Sequence, residues 1–186
     1  MQFLKTIQVL QDMGKYIRQQ ARSNLTKQKK NVDRTLYESI TYGVHNQQKK
    51  IDLLIEMAEY GKFQDQGVRG LKASPINTMN SPYRFGNKMP PIQTIADWAK
   101  KRNIRLRDDK GKFAKGNYNT IGFLFARSIR DKGFKASMFL TRPYQLSLVR
   151  YYKPMLQALG EDVAEQIKQT AKEMSSKKNK DKKWVM

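Results

Sequence analysis

The chain has 186 residues, of which 37 are Lys or Arg and 16 are Asp or Glu, so its formal charge at neutral pH is +21. It contains no cysteine and one histidine, which excludes disulfide scaffolds, cysteine-ligated metal sites and thiol nucleophiles and argues against histidine-based metal centres or triads. The length fits one domain of the usual 100–200 residues or so, and a hydrophobic fraction of 39% is enough for a modest core.

The N-terminal stretch, residues 1–30, is predicted to form an amphipathic helix followed by a polar connector. Apolar residues recur at helical spacing from Phe3 through Ile7 and Leu10 to Ile17. No continuous apolar run or small-residue cleavage site is present here, so a secretory signal is not expected. The apolar stretches of the chain are far shorter than the roughly 20 residues of a membrane span. We therefore expect a protein of the cytosol or of an assembled particle.

Two alternating segments predict an antiparallel hairpin. Residues 36–44 and 49–57 alternate between apolar and polar side chains, and the polar sequence HNQQ between them can turn the chain. A lone hairpin is marginal in water, so its apolar face needs a covering helix.

Helical segments flank a long irregular excursion in the middle of the chain. AEYGKFQDQGVRG predicts a short helix that ends at its glycines, and PPIQTIADWAKKRNI predicts a helix that begins after proline. Between them, residues 71–91 carry four prolines, and loops of that length are usually functional, in contact with a partner, or disordered.

The C-terminal half combines a basic ribbon with two helices. RLRDDKGKFAKGN contains a turn signal. Residues 118–132 have helical spacing, with Asn117 or Asn119 as a possible cap and Gly133 as the stop. The final helix has near-heptad spacing from Val149 to Met174, and Pro154 is expected to kink or restart it.

These elements predict an α+β fold, in which a small antiparallel hairpin packs with several helices and the N- and C-terminal helices are long. We divide the chain into an N-terminal helix and connector (1–30), an α+β domain (31–175) and a basic flexible tail (176–186). Whether the terminal helices pack within one subunit or against neighbours stays open, as does the choice between interface and helix packing for Tyr144, Tyr151 and Tyr152.

Catalytic chemistry finds little support in the sequence. Five carboxylates could in principle converge on a divalent ion: Asp52, Glu56, Asp65, Asp108 and Asp109. The simpler interpretation is that Asp108-Asp109 shape a turn and that His45 is a solvated turn residue. The glycines lack the spacing of a phosphate-binding or dinucleotide-binding loop. We therefore expect no catalytic residue, no metal and no cofactor.

A dense basic segment is the strongest functional signal. Such a segment can neutralise phosphates without reading sequence, or form a solvated face, or match an acidic protein neighbour. Aromatic residues are sparse within it, so base stacking is weakly supported. Its candidate contact residues are Arg102, Arg105, Arg107, Lys110 and Lys112.

In their order along residues 30–175, several segments resemble the bacteriophage tail-completion family (neck, or head-to-tail joining, proteins of the minor tail protein class). LYESITYGV and KIDLLIEM resemble its hairpin, AEYGKFQDQGVRG its aromatic helix and glycine element, and SPYRFGNKMPP its variable loop. IADWAKKRNI is similar to the helix that follows, RDDKGKF to the basic ribbon, and MFLTRPY to the aromatic–Arg–Pro element before the last helix.

The resemblance implies a non-enzymatic structural virion protein that forms a ring at the portal–tail junction and surrounds the DNA channel. Its partners would be copies of itself and other portal, neck or tail proteins, its location the virion after assembly in the host cytoplasm. The implied contact residues are Tyr83, Arg84, Phe85, Phe139, Arg142 and Tyr144. The rival hypothesis, which depends on charge alone, is a soluble protein that binds nucleic acid non-specifically.

Overall fold

The computed structural model describes residues 3–30, 32–47, 50–73, 75, 78, 80–114 and 116–181, the last five as backbone only. Within these residues it has six helices and two antiparallel strand pairs, which confirms the predicted α+β class and the long terminal helices. In chain order the elements are α1 (Leu4–Lys27), α2 (Thr35–Ser39), β1 (Thr41–Gln47), β2 (Lys50–Glu56), α3 (Gly61–Gln66), β3 (Val68–Arg69), α4 (Ile92–Lys101), α5 (Tyr118–Lys132), β4 (Gly133–Phe134) and α6 (Thr141–Asp181).

The described residues fall into two compact units, each made of separate stretches of chain. The described parts of Met1–Gln20, Thr41–Glu56 and Pro143–Met186 make unit 1, and those of Ala21–Ile40 and Met57–Arg142 make unit 2. The division at residues 30/31 and 175/176 remains a prediction. Helix α6 continues past residue 175 to Asp181, and residues 182–186 of the predicted tail lie outside the described part.

In unit 1, α1 and α6 of the same chain pack antiparallel. Near the start of α1, the backbone N–H groups of Lys5 and Thr6 donate to the Asp162 carboxylate at 3.1 and 2.8 Å. Burial acts to raise the pKa of Asp162, but the hydrogen bonds from Thr6 and Lys5 outweigh it, so the pKa lies below its ordinary value. Farther along, the Tyr16 and Tyr151 rings lie 6.0 Å apart. Asp162 therefore caps α1, satisfying N–H groups that a helix start leaves free.

The hairpin pairs β1 with β2 and lies against α1. Its register places Thr41 opposite Glu56 and Gln47 opposite Lys50, so residues 48–49, outside the described part, connect the strands. At Gly14 of α1, any Cβ would collide with the side chains of Tyr42 and Leu53. Glycine at this position lets the sheet approach the helix, which supplies the covering helix that the hairpin needs.

Two details of the predicted hairpin are wrong. Residues 36–39 belong to helix α2 instead of a strand, because Leu36 and Ile40, four residues apart, both reach the core. His45 is an exposed strand residue opposite Asp52, and not a turn residue.

The core of unit 2 is built around Phe139, which is completely buried. It packs with residues from the last turns of α1 and from α2, and the side-chain amide of Asn24 donates to its carbonyl oxygen at 3.2 Å. The core cluster consists of Ala21, Leu25, Leu36, Ile40 and Phe139. Unit 2 also contains the two-residue strands β3 and β4, which the sequence did not predict and which pair Val68 with Phe134.

A buried carboxylate fixes the start of α6 in unit 2. Asp65, only 3% exposed, accepts hydrogen bonds from the backbone N–H groups of Leu140 at 2.8 Å and Thr141 at 3.2 Å, and from the Thr141 hydroxyl. The backbone N–H of Met138 donates to the Asp65 carbonyl oxygen at 2.8 Å. A negative charge at a helix N-terminus is favourable, so Asp65 joins α3 to the first turn of α6.

The other helices follow their predicted signals closely. Asn117 caps α5 by accepting from the Thr120 N–H at 2.8 Å, and Gly133 ends α5 with a left-handed φ of 69°. Helix α6 runs through Pro154 without restarting. The described residues of the 71–91 excursion contain no helix or multi-residue strand, but Ser81 is buried and its hydroxyl donates to the Gly67 carbonyl oxygen at 2.8 Å.

Candidate functional site

The predicted basic ribbon in unit 2 is a tight reversal closed by one aspartate. Arg107 and Phe113 pair as an antiparallel bridge, and the Gly111 N–H donates to the Asp108 carbonyl oxygen at 2.9 Å. The Asp108 carboxylate accepts from the backbone N–H groups of Lys110 and Lys112 at 3.0 and 2.8 Å. Asp108 thus serves the turn, as the simpler sequence interpretation held.

Cationic side chains surround an exposed aromatic ring on this ribbon. The ring of Phe113 is 63% exposed, and the guanidinium groups of Arg105 and Arg107 lie over it at 5.6 and 4.5 Å from its centroid. Arg107 also donates to the Gly111 carbonyl oxygen at 2.7 Å. Arg105, Arg107, Lys110 and Lys112 are all exposed. The ribbon therefore presents a cationic surface on which Arg105 and Arg107 make cation–π contacts with Phe113.

Arg102, the fifth predicted basic residue, lies at an aromatic cleft of unit 2. Its guanidinium is 5.4 Å from the Trp98 ring centroid and donates to the Lys29 carbonyl oxygen. Trp98 meets Phe125 edge to face at 5.8 Å between ring centroids. The cleft has a volume of about 830 Å³, and its apolar walls include Leu36, Tyr60, Ile95, Trp98, Phe125, Ile129 and Phe134.

The rim of this cleft is mainly cationic. Its charged residues are Lys29, Lys30, Asp33, Arg34, Arg102 and Lys135. The single carboxylate, that of Asp33, is paired with Lys101 at 2.6 Å. Partial burial lowers the pKa of Lys30 while the Asp65 charge opposes that shift, and its ammonium donates to the Gln64 side-chain oxygen at 3.1 Å. Sequence reasoning missed the cleft, although Trp98 and Arg102 share a helix face, as do Phe125 and Ile129.

Three of the implied contact residues run together along the excursion. Tyr83 packs edge to face on Phe63, with 4.7 Å between ring centroids, and Phe85 lies 6.2 Å from Phe134. Arg84 is exposed. The backbone on either side of it pairs with Arg69: the Arg69 N–H donates to the Tyr83 carbonyl oxygen, and the Phe85 N–H donates to the Arg69 carbonyl oxygen, each at 2.9 Å. The two aromatic side chains are half-buried, so Arg84 is the residue of this group most available to a partner.

The remaining implied contacts divide between core and surface. Phe139 is wrong as a contact residue, because its side chain is the centre of the unit 2 core and has no exposed surface. Arg142 is exposed at the start of α6, and Tyr144, in unit 1, is 47% exposed. Of the tyrosines that the sequence left undecided, Tyr151 packs on Tyr16 whereas Tyr152 is 63% exposed.

The carboxylates do not converge in the described part of the chain. No three Asp, Glu or His side chains there lie close enough to hold a metal ion. Asp65 and Asp108 are instead occupied by backbone N–H groups. Among the described helices, none has both the length and the apolar character that crossing a bilayer requires.

Comparison of the chain with protein-family models, with curated proteins and with solved structures finds no significant match in any of the three.

Proposed function

We propose that the chain is a structural virion protein of a tailed bacteriophage, a ring-forming component of the neck or tail that joins portal and tail and surrounds the DNA channel. Its partners would be copies of itself and neighbouring virion proteins. The order of segments described above supports this proposal, and one structural observation carries it. The described Arg and Lys side chains of the cationic ribbon, Arg105, Arg107, Lys110 and Lys112, are exposed and outnumber its two carboxylates, Asp108 and Asp109. Asp108 is turned to backbone N–H groups, so the ribbon keeps a net positive charge for an outside partner.

The physical role of this surface is docking to a polyanion or an acidic neighbour. Cation–π contact with Phe113 restricts the side chains of Arg105 and Arg107, so less side-chain entropy is lost when they bind. Guanidinium groups pair with phosphates and carboxylates in the same forked geometry, which suits both packaged DNA and an acidic protein surface. A chain of net charge +21 also repels itself in solution, and neutralising neighbours in a particle relieve that repulsion.

The second candidate is a soluble, non-specific nucleic-acid-binding protein. The observation that favours it is Phe113, an exposed ring beside two guanidinium groups, since such a ring can stack on an unpaired base. On this hypothesis a purified monomer binds DNA with a steep dependence on salt. On the particle hypothesis the purified chain forms defined oligomers and binds free DNA weakly.

The test has two parts. The first is the mass of the purified chain in solution, which distinguishes defined oligomers from a monomer. The second is a charge-reversal variant that carries Arg105→Glu, Arg107→Glu and Lys110→Glu. The matched control, Lys15→Glu with Lys27→Glu and Lys88→Glu, changes the net charge equally at exposed positions elsewhere. If the proposal holds, the ribbon variant hinders incorporation into particles and the control does not. Normal infectious particles from the ribbon variant would remove the ribbon from the proposal.

A further inference from the structure

Helix α6 carries a second apolar face, which we call the outer stripe. Its members are separated by three or four residues, so they lie on one side of the helix over seven turns. Several are exposed to an unusual degree: Val149 by 80%, Ile167 by 64% and Met174 by 68%. The outer stripe consists of Val149, Tyr152, Leu156, Leu159, Val163, Ile167, Thr170 and Met174.

The outer stripe is distinct from the face that α6 uses within unit 1. That inner face contains the buried residues Ser147, Ala158 and Asp162. At about 100° per residue, the centre of the outer stripe lies roughly 140° around the helix from the centre of these three residues. The stripe includes no charged residue, although 28% of the chain is charged. Among the described residues a continuous uncharged ridge is thus left exposed, and towards its C-terminal end Val163, Ile167 and Met174 share an open groove with Phe3 and Leu4.

The size of the ridge fits a protein interface. From the exposed fractions of its apolar members, the stripe presents on the order of 700 Å². That is more than the roughly 300–600 Å² of the largest apolar patch on a typical monomer. It is close to the approximately 800 Å² that each partner contributes to a standard protein–protein interface.

An exposed glycine beside the stripe gives an independent indication of a closely packed partner. Gly160 lies inside α6, and a Cβ there would have no neighbour within 4 Å in the described structure. Glycine in an exposed helix interior costs about 1 kcal/mol relative to alanine. Its known benefit in a helix is to let another backbone come close. No contact among the described residues uses that benefit, which leaves this position open to the backbone of another molecule.

We propose that the outer stripe is covered by the same stripe of a second copy of this chain, packed antiparallel. The occupant must offer an uncharged apolar ridge of matching length, about 39 Å for 26 helical residues, and α6 itself offers one. An antiparallel pair aligns opposite helix dipoles and keeps the two lysine-rich C-terminal segments apart. Full overlap places Gly160 beside Val163 of the second copy and Leu156 beside its Ile167.

The pair associates against the repulsion of two strongly positive chains. Salt screens that repulsion, so self-association should strengthen as ionic strength rises. An acidic partner seated on the stripe would show the opposite dependence. The pairing does not depend on the proposed particle role, because it concerns only α6. If the pairing fails, the ring proposal still stands or falls with the mass of the purified chain.

Single-cysteine variants test the pair directly, since the chain has no cysteine of its own. In the antiparallel register two Val163 positions are offset by only about 4.5 Å along the helices, whereas two Ile167 positions are offset by roughly 16 Å. Val163→Cys should therefore form a disulfide-linked dimer under mild oxidation. Ile167→Cys alone should not, but it should form one when mixed with Leu156→Cys. Lys168→Cys, on another face of α6, is the matched control.

Each outcome supports or overturns the proposal. The proposal is overturned if Val163→Cys crosslinks no faster than the Lys168→Cys control. It is also overturned if Ile167→Cys crosslinks with itself as fast as with Leu156→Cys, because equal rates require a parallel pair. Sedimentation of the cysteine-free chain gives a second measurement of self-association. The double variant Leu156→Glu with Val163→Glu should weaken self-association at least about 100-fold without loss of helix. Gly160→Ala should weaken self-association several-fold while raising the Tm. Unchanged association in both variants would also overturn the proposal.

Discussion

Replacing the buried carboxylate of Asp65 by an amide should destabilise the protein strongly. Asp65→Asn keeps the side-chain volume but leaves one oxygen where the carboxylate uses two to accept from Leu140 and Thr141. The new NH₂ group would face hydrogen-bond donors. A hydrogen bond to a charged group contributes about 1.5–3 kcal/mol, so the loss at this 3%-exposed site should be about 3–5 kcal/mol. For a chain of this size that lowers the Tm by roughly 10 °C.

Thermal and urea unfolding followed by circular dichroism measure this effect. The matched control is Asp109→Asn, since Asp109 is exposed on the ribbon turn and its replacement should change stability by less than about 0.5 kcal/mol. If Asp65→Asn unfolds at the same temperature and urea concentration as the control, the carboxylate does not hold α3 to the start of α6, and the structural role given to Asp65 is wrong.

Three further substitutions probe stability. Lys30→Met should raise the Tm at neutral pH, because burial lowers the pKa of Lys30 and the folded state therefore disfavours its charge. The gain in Tm should shrink as the pH rises through that lowered pKa towards the ordinary 10.5. A gain that stays constant in thermal melts across this pH range would contradict the reasoning. Asp162→Ala should cost about 1–2 kcal/mol at neutral pH. The pKa of Asp162 is lowered, so its contribution to the free energy of unfolding is present above the ordinary pKa of 3.8 and is lost as the pH falls through the lower pKa of the folded state. Urea titrations should therefore show the stabilities of the variant and the wild type converging in acid. A stability difference that does not change with pH would count against the cap. Phe139→Ala should cost about 3–5 kcal/mol in urea unfolding, whereas the exposed Leu146→Ala should be near neutral; equal losses would argue against Phe139 as the core centre.

Local signals in the sequence predicted the elements whose stability is local. The apolar spacing of α4 and α5 and the cap at Asn117 depend on residues within a few positions of one another, and the structure has each of them. The alternation of apolar and polar residues correctly predicted the hairpin, but it placed the start of the first strand at residue 36 instead of Thr41. Leu36 and Ile40 fit either a strand or a single helical turn, and packing against α1 residues distant in sequence decides for the turn.

Features that depend on long-range contacts could not be predicted in this way. Phe139 lies in an aromatic, arginine- and proline-containing segment, yet it is enclosed by residues as distant in sequence as Ala21 and Leu25 of α1. Asp65 was one of five carboxylates without a distinguishing local pattern, and its role emerges only when Thr141 is brought beside it. The cleft around Trp98 likewise combines α2, α4 and α5, whose proximity no single segment encodes.

The presence of this chain in mature particles is the most direct measurement of its role. Quantitative mass spectrometry of purified phage particles, from a lysate in which the chain is produced, counts its copies relative to the portal protein. We predict a fixed number of copies per particle, retained through purification at high salt. Complete absence from infectious particles, with the chain left in the soluble lysate bound to nucleic acid, would contradict the proposed structural role.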